Sequence, residues 1–296
     1  FTMDFGYNQL WKAIIRPPRA QYTDEDLGPA KFMIYGADGE PHKVQRTDFT
    51  LKNQHGHEIV CSHFEPYEED REWSDLPCVI YMHGNSSCRL EALDCVHYML
   101  PQSISLFCFD FVGCGRSGGD YISLGWWERD DLAMIVEHLR FSRRVSTIGL
   151  WGRSMGAVTA LLHADRDPSI AGVVVDSPFS NLSKLVNELA YQYTKIPSFL
   201  VNPALKIVSS TVKKKVNFDI YKLAPIDHVK NSFIPALFAT ANQDDFIQPH
   251  HSETLFKAYQ GDKNLVKFDG DHNSNRPSFF YDSASIFLHQ TLQCEQ

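Results

Sequence analysis

Residues 145–164 read VSTIGLWGRSMGAVTALLHA, and the apolar period changes within them. The run from Val145 to Trp151 is too short for a buried helix and reads as a strand, whereas Val158, Leu161 and Leu162 recur at helical spacing. Between the two lies Gly152-Arg153-Ser154-Met155-Gly156. This G-x-S-x-G spacing puts a serine on a strained strand-to-helix turn with its hydroxyl projecting outward. Glycines flank it because a Cβ at either position would crowd the neighbouring backbone. A helix starting directly behind Ser154 also aims unpaired N–H groups at any negative charge that forms there. A packing turn would satisfy the five-residue pattern alone; the strand before it and the helix after it argue for more.

Working outward, the alternation continues on both sides. Short buried strands are expected at Cys78–Met82, Ile104–Phe109, Ile170–Val175, Pro235–Ala241 and Asn264–Phe268. Helical stretches near Leu90–Leu100, Trp126–Arg140, Ser252–Tyr259 and Ser278–Leu292 separate them. Residues 44–51 and 57–64 alternate like a hairpin turned by Asn53-Gln54-His55-Gly56. Strands alternating with helices predict an α/β fold, a mostly parallel central sheet covered by helices on both faces. Functional loops then gather at the carboxyl ends of the strands. The rhythm breaks only over 177–233, read as a helical lid inserted into a single domain spanning 1–296, with 1–43 as an N-terminal extension.

Composition narrows the function. The 296 residues are 43% hydrophobic and carry a formal net charge of −8, which argues against a nucleic-acid binder needing a basic face. No apolar run approaches the roughly 18 residues needed to cross a bilayer. Seven cysteines without a C-x-x-C pair read as reduced core thiols of a cytoplasmic protein. Cys88 and Cys95 lack the neighbours of a zinc site. Around Leu10, Trp11, Ile14 and Ile15 a short amphipathic piece, stopped by Arg16-Pro17-Pro18-Arg19, reads as a helix on the domain's own edge. Peripheral membrane contact through it is the alternative. Lys213-Lys214-Lys215 reads as a solvated face, with anionic lipid or an acidic partner as the alternative. His55, His57 and His63 are read as surface residues, and His250 and His251 as capping or surface residues of a helix start.

A serine hydroxyl is a weak nucleophile near neutral pH and needs a base, which in turn needs a group to fix its tautomer. His272, in Gly270-Asp271-His272-Asn273 just past the last strand, fits the base. Asp244 and Asp245 follow the preceding strand; Asp244 is favoured because it begins the loop ahead of Ile247, and Asp271 competes only from an adjacent, divergent position. Ser154, Asp244 and His272 then stand at strand ends in the order serine, acid, histidine. Attack on an acyl carbonyl leaves charge on oxygen, which fixed N–H donors stabilise. The backbone of Met155 and of Asn85, in His83-Gly84-Asn85, are the candidate donors. Gly113, Gly115 and Gly118 spell G-x-G-x-x-G, but no helix opens within that motif, so the glycines are read as a bend and not as a dinucleotide site.

With these residues in view, YMHGN at 81–85, DFVGCGRSGG at 110–119, GLWGRSMGA at 149–157 and GDHN at 270–273 resemble the α/β-hydrolase superfamily. The likeness is to its serine-aminopeptidase-like, membrane-peripheral branch that includes protein depalmitoylases. IRPPRAQY at 15–22 and FIQPHHS at 246–252 are similar to uncharacterised plant and protist members. The resemblance implies Ser154 as nucleophile, Asp244 as acid, His272 as base, and Asn85 and Met155 at the oxyanion hole. The expectation is a serine hydrolase that cleaves a carboxylic ester or thioester of a small molecule, lipid or acylated protein and requires no metal or organic cofactor. The alternatives are a catalytically silent scaffold for protein–protein interaction, or a peptidase.

Overall fold

The computed structural model describes residues 11–36, 39–71, 73–194 and 198–292. Its strands are β1 (Lys31–Tyr35), β2 (Pro41–Lys52), β3 (Glu58–Pro66), β4 (Leu76–Met82), β5 (Ser105–Phe109), β6 (Val145–Arg153), β7 (Gly172–Asp176), β8 (Ala236–Ala241) and β9 (Lys263–Phe268). They form one nine-stranded sheet in the order β1-β2-β3-β5-β4-β6-β7-β8-β9. The first three strands run antiparallel to their neighbours, and every pairing among β4 to β9 is parallel. β1 and the start of β2 lie inside the stretch expected as an N-terminal extension, so the sheet begins earlier than the sequence pattern indicates.

The longer helices are α1 (Leu93–Met99), α2 (Glu128–Ser142), α3 (Met155–Ala164), α4 (Leu182–Thr194), α5 (Ser198–Val216), α6 (His250–Ala258) and α7 (Ser278–Thr291). Strand alternation explains how they cover both faces, because successive side chains point to opposite sides of a sheet. Ile80, Met82, Val173, Val175 and Phe238 join one core with Leu132 and Ile135 of α2 and Leu161 of α3. Val79, Tyr81, Val174 and Leu237 join the other with Cys95 of α1 and Phe280 and Leu288 of α7. Each fully buried aliphatic side chain stabilises the fold by roughly 1.5–3 kcal/mol relative to exposure, which is why these central strands read as near-continuous apolar runs.

A third core fixes the interrupted stretch. Val158 and Leu162, on the side of α3 turned away from the sheet, pack with Leu182 and Leu185 of α4, Leu205, Val208 and Val212 of α5, and Phe218. Trp11 and Ile15 are buried in the same cluster, and the Lys215 ammonium sits 4.4 Å from the Trp11 ring centre. The end of α5 is held by Trp127, whose Nε1 donates to the Val216 carbonyl at 2.8 Å. Leu10 lies outside the described residues, as does Cys294; the other six cysteines are free and buried. Among the described residues no helix is long and apolar enough to cross a membrane.

Burial corrects two histidine readings. His63, expected at the surface, is buried with Nε2 3.1 Å from Ser105 Oγ, and desolvation pushes its imidazole down to about 3. His251, expected to cap or face solvent, is fully buried.

Candidate active site

β6 ends at Arg153 and α3 begins at Met155, so the whole turn is Ser154, with φ 52° and ψ −112°. This left-handed backbone is costly for a residue with a side chain. Two close approaches hold it. A Cβ on Gly156 would stand 2.1 Å from the Met82 carbonyl oxygen, and one on Gly152 would stand 2.2 Å from the Gly156 backbone. Only hydrogen side chains let α3 press against β4 and the turn fold so tightly. Ser154 N–H is fixed by donation to the Asp176 carbonyl at the end of β7, 2.8 Å away.

The fold brings Ser154, His272 and Asp244 together. His272 Nε2 lies 3.1 Å from Ser154 Oγ, and His272 Nδ1 lies 2.7 Å from Asp244 Oδ2. All three are buried. An ionised carboxylate only accepts, so Nδ1 carries the ring proton and Nε2 keeps the lone pair that faces the serine hydroxyl. Asp244 is itself held, since its Oδ1 accepts from the N–H groups of Phe246 at 3.0 Å and Ile247 at 2.8 Å. Of the two competing acids, Asp245 is exposed, and Asp271 instead caps its own loop by accepting from the N–H groups of Asn273 and Ser274.

The serine aminopeptidase (S33) family model matches residues 76–222, a span that contains Asn85, Ser154 and Met155 and ends before Asp244 and His272. The esterase Pf2001 of Pyrococcus furiosus superposes with a TM-score of 0.69 at 19% identity, covering 94% of this chain and 98% of that one. The chain has the α/β-hydrolase fold. Acetyl xylan esterase 1 of Thermoanaerobacterium shares the fold at a TM-score of 0.65 and 15% identity, over 97% of this chain and 98% of the other. In sequence, the chain is similar to the uncharacterized protein YqkD of Bacillus subtilis, 28% identical over 235 residues, 78% of this chain and 74% of the relative.

In this α/β-hydrolase fold the loop after β4 is tied down at both ends of one residue. Gly84 N–H faces the Glu91 carboxylate at 3.3 Å. The Gly84 carbonyl accepts from His83 Nδ1 at 2.7 Å, while His83 Nε2 accepts the Phe111 N–H at 3.1 Å. Because C=O and N–H of a trans peptide point in opposite directions, anchoring the Gly84 carbonyl aims the Asn85 N–H away from His83. Asn85, Ser154 and Met155 share the wall of one cavity.

That cavity, of about 440 Å³, is lined almost entirely by apolar side chains. Phe179, Leu185, Leu189, Leu205 and Val208 contribute from α4, α5 and the segment before them, and Ile247 from the loop after Asp244. Its size falls within the ~300–1,000 Å³ usual for small-molecule sites. A larger open cleft of about 1270 Å³ near Tyr35, Asp94 and Tyr281 contains none of the residues that face Ser154.

Several positioning residues had no local sequence signal. Asp176 accepts from Arg276 through both carboxylate oxygens, at 2.7 and 3.1 Å, and Arg276 also donates to the Ser274 carbonyl at 2.8 Å. Arg153 donates to the His272 carbonyl. The glycine-rich loop 113–119 wraps a buried carboxylate, Asp110, which accepts from Tyr22 Oη at 2.6 Å and from the N–H groups of Arg89 at 2.7 Å and Arg116 at 2.8 Å. Of the loop's backbone donors, the Arg116 N–H is thus turned inward to a protein carboxylate, and those of Gly113, Cys114, Ser117 and Gly118 go to backbone carbonyls.

Proposed function

We propose that this protein is a serine hydrolase that cleaves a carboxylic ester or thioester of an apolar acyl group. The observation that carries the reading is the relay from Asp244 through His272 to Ser154 opening onto an apolar cavity. His272 Nε2 takes the Ser154 proton as Oγ attacks the acyl carbonyl. The tetrahedral oxyanion is received by the N–H groups of Met155 and Asn85, each such donor being worth roughly 10²- to 10³-fold in rate. The intermediate collapses to an acyl-enzyme as the imidazolium gives its proton to the leaving oxygen or sulfur. Water, deprotonated by the same nitrogen, then releases the acid. Asp244 holds the productive tautomer and stabilises the imidazolium without itself taking the proton.

The cavity suits an acyl chain better than a charged amine, because among the described residues no carboxylate lines it to receive an α-ammonium group. The esterases that share the fold support ester chemistry, and the helical stretch 177–233 serves here as a lid that supplies most of the acyl-binding wall. A lipid or an acylated protein would present such a chain.

Fluorophosphonate labelling of the pure protein, followed by a panel of p-nitrophenyl esters and acyl thioesters of graded length, tests the assignment. Labelling that disappears in Ser154→Ala, with kcat/KM rising as the acyl chain lengthens from acetyl, is the expected result. Folded wild-type protein that takes no label, or labelling unchanged in Ser154→Ala, would reject the enzyme in favour of a binding scaffold.

A further inference from the structure

We propose that Glu188, His250 and His251 form a binding site for a zinc-type divalent cation that fastens the lid helix α4 to α6. The three side chains come from two elements that the sequence separates by some sixty residues, and each presents one ligand atom to a common point, all within 4.8 Å of one another. Glu188 Oε2 lies 2.8 Å from His251 Nε2, and Glu188 Oε1 lies 3.1 Å from His250 Nε2. The two imidazole rings stand with centres 4.3 Å apart and their planes tilted by 31°. Two imidazole nitrogens and one carboxylate oxygen make a borderline-soft donor set that suits zinc, with bonds of about 2.0–2.2 Å and a fourth position left for water. Donor atoms in such a tetrahedron stand on the order of 3.3 Å apart, so the two Glu188–histidine contacts need open by only a few tenths of an ångström, and no pair of ligand atoms is more than 4.8 Å apart.

The surroundings supply what a metal centre needs beyond its ligands. His251 is fully buried and takes no part in the Ser154 chemistry, and its second nitrogen is already committed: Nδ1 stands 2.8 Å from Ser180 Oγ and accepts the Ser180 N–H at 3.1 Å. With Nδ1 accepting, the ring proton sits on Nε2 and is donated to Glu188. On coordination Nε2 gives its lone pair to the ion and the proton resides on Nδ1, where Ser180 Oγ accepts it and the Ser180 N–H gives up its bond to the ring. That is the outer-shell contact that orients metal-bound histidines. An open cleft of about 510 Å³, lined by Glu188, Gln192, Asp245 and Gln248, provides an entry path from solvent. Direct hydrogen bonding accounts for the histidine–carboxylate contacts without an ion. What it does not require is a second histidine turned onto the same carboxylate beside the first.

The consequence is mechanical. Glu188 shares α4 with Leu185 and Leu189, which line the acyl cavity, so an ion at Glu188 holds that wall in place while taking no part in bond breaking. Calorimetric titration of the intact, chelator-treated protein with zinc tests the site, with the melting temperature as a second readout. One zinc is expected to bind per chain with a dissociation constant in the micromolar range or tighter and to raise the melting temperature. Affinity should fall at least about tenfold in both His250→Ala and Glu188→Gln, and zinc should no longer raise their melting temperatures. Should Glu188→Gln fail to fold without zinc, His250→Ala carries the test alone, since His250 is half-buried. No heat and no thermal shift in the wild type, or the same affinity in the variants, overturns the proposal; the latter result would place the ion on other histidines.

Discussion

Arg153 Nη2 donates to the carbonyl oxygen of His272 at 2.8 Å, so the residue just before Ser154 holds the loop that carries His272. The same guanidinium lies 4.0 Å from Asp176, and Asp176 in turn binds Arg276, which grips that loop from its far side. Ser154 and His272 are therefore tied to a shared frame through backbone carbonyls as well as through their own hydrogen bond. Arg153→Met keeps the stem of the side chain and loses the donor. Misplacement of about 1 Å can cost as much as 10²-fold, so kcat is expected to fall about 10- to 100-fold. KM should stay within about threefold, because the acyl cavity is untouched. Steady-state kinetics on one ester decide it; a KM effect with unchanged kcat would remove Arg153 from the positioning frame.

His83 offers a second case of control through a peptide plane. Its Nδ1 fixes the Gly84 carbonyl and thereby the direction of the Asn85 N–H. In His83→Ala that peptide is free to turn, and one oxyanion donor is lost, with an expected fall in kcat of about 10²-fold. The fluorophosphonate labelling rate should fall in parallel, since phosphonylation uses the same hole. Full labelling speed in the variant would mean that the Asn85 N–H is held by something else.

Much of this architecture is readable in the sequence because it is local. The run ending at Trp151, the glycines about Ser154 and the helical spacing after it are consecutive residues, and period and turn chemistry suffice to read them. The ends of β4, β8 and β9 likewise carry Asn85, Asp244 and His272 within a few residues of an apolar run. What escaped is long-range or marginal. β1 is an edge strand in which only Ile34 is buried, so Lys31, Met33 and Tyr35 show no inward face to read. His63 and His251 look polar in sequence, yet each is buried because a distant group, Ser105 or Glu188, satisfies it. The bond between Arg276 and Asp176 spans 100 residues, and no spacing rule reaches that far.

Asp131 predicts how stability follows pH. It is buried on α2, where desolvation, reinforced by the nearby Glu128, pushes its carboxyl up to about 7, against the amide hydrogen bond from Asn53 Nδ2 at 2.7 Å. The folded state therefore holds a proton that the unfolded chain releases from pH ~3.9 upward, and this contribution to stability is present in acid and lost as pH rises through about 7. Asp131→Asn removes the dependence while the amide oxygen still accepts from Asn53. The variant should gain on the wild type as pH rises from 4 to 8, by on the order of 1–3 kcal/mol. Paired thermal melts across that range check it, and a constant gap between the two proteins would show that Asp131 titrates normally.

The cavity wall predicts selectivity. Leu205, on α5, is buried and lines the cavity that Ser154 also lines. Leu205→Trp fills space that a long acyl chain would occupy and leaves the serine, the histidine and the two backbone donors unaltered. Loss of each methylene contact in an apolar pocket changes kcat/KM by about 10-fold or more, so activity on long-chain esters should drop at least about tenfold, with acetyl esters within about twofold. Overpacking costs typically ~1–3 kcal/mol, so a melting curve on the same preparation separates a smaller pocket from a destabilised one. Equal losses on short and long esters from a folded variant would mean that the acyl chain leaves Ser154 by another route, and that α5 does not set chain length.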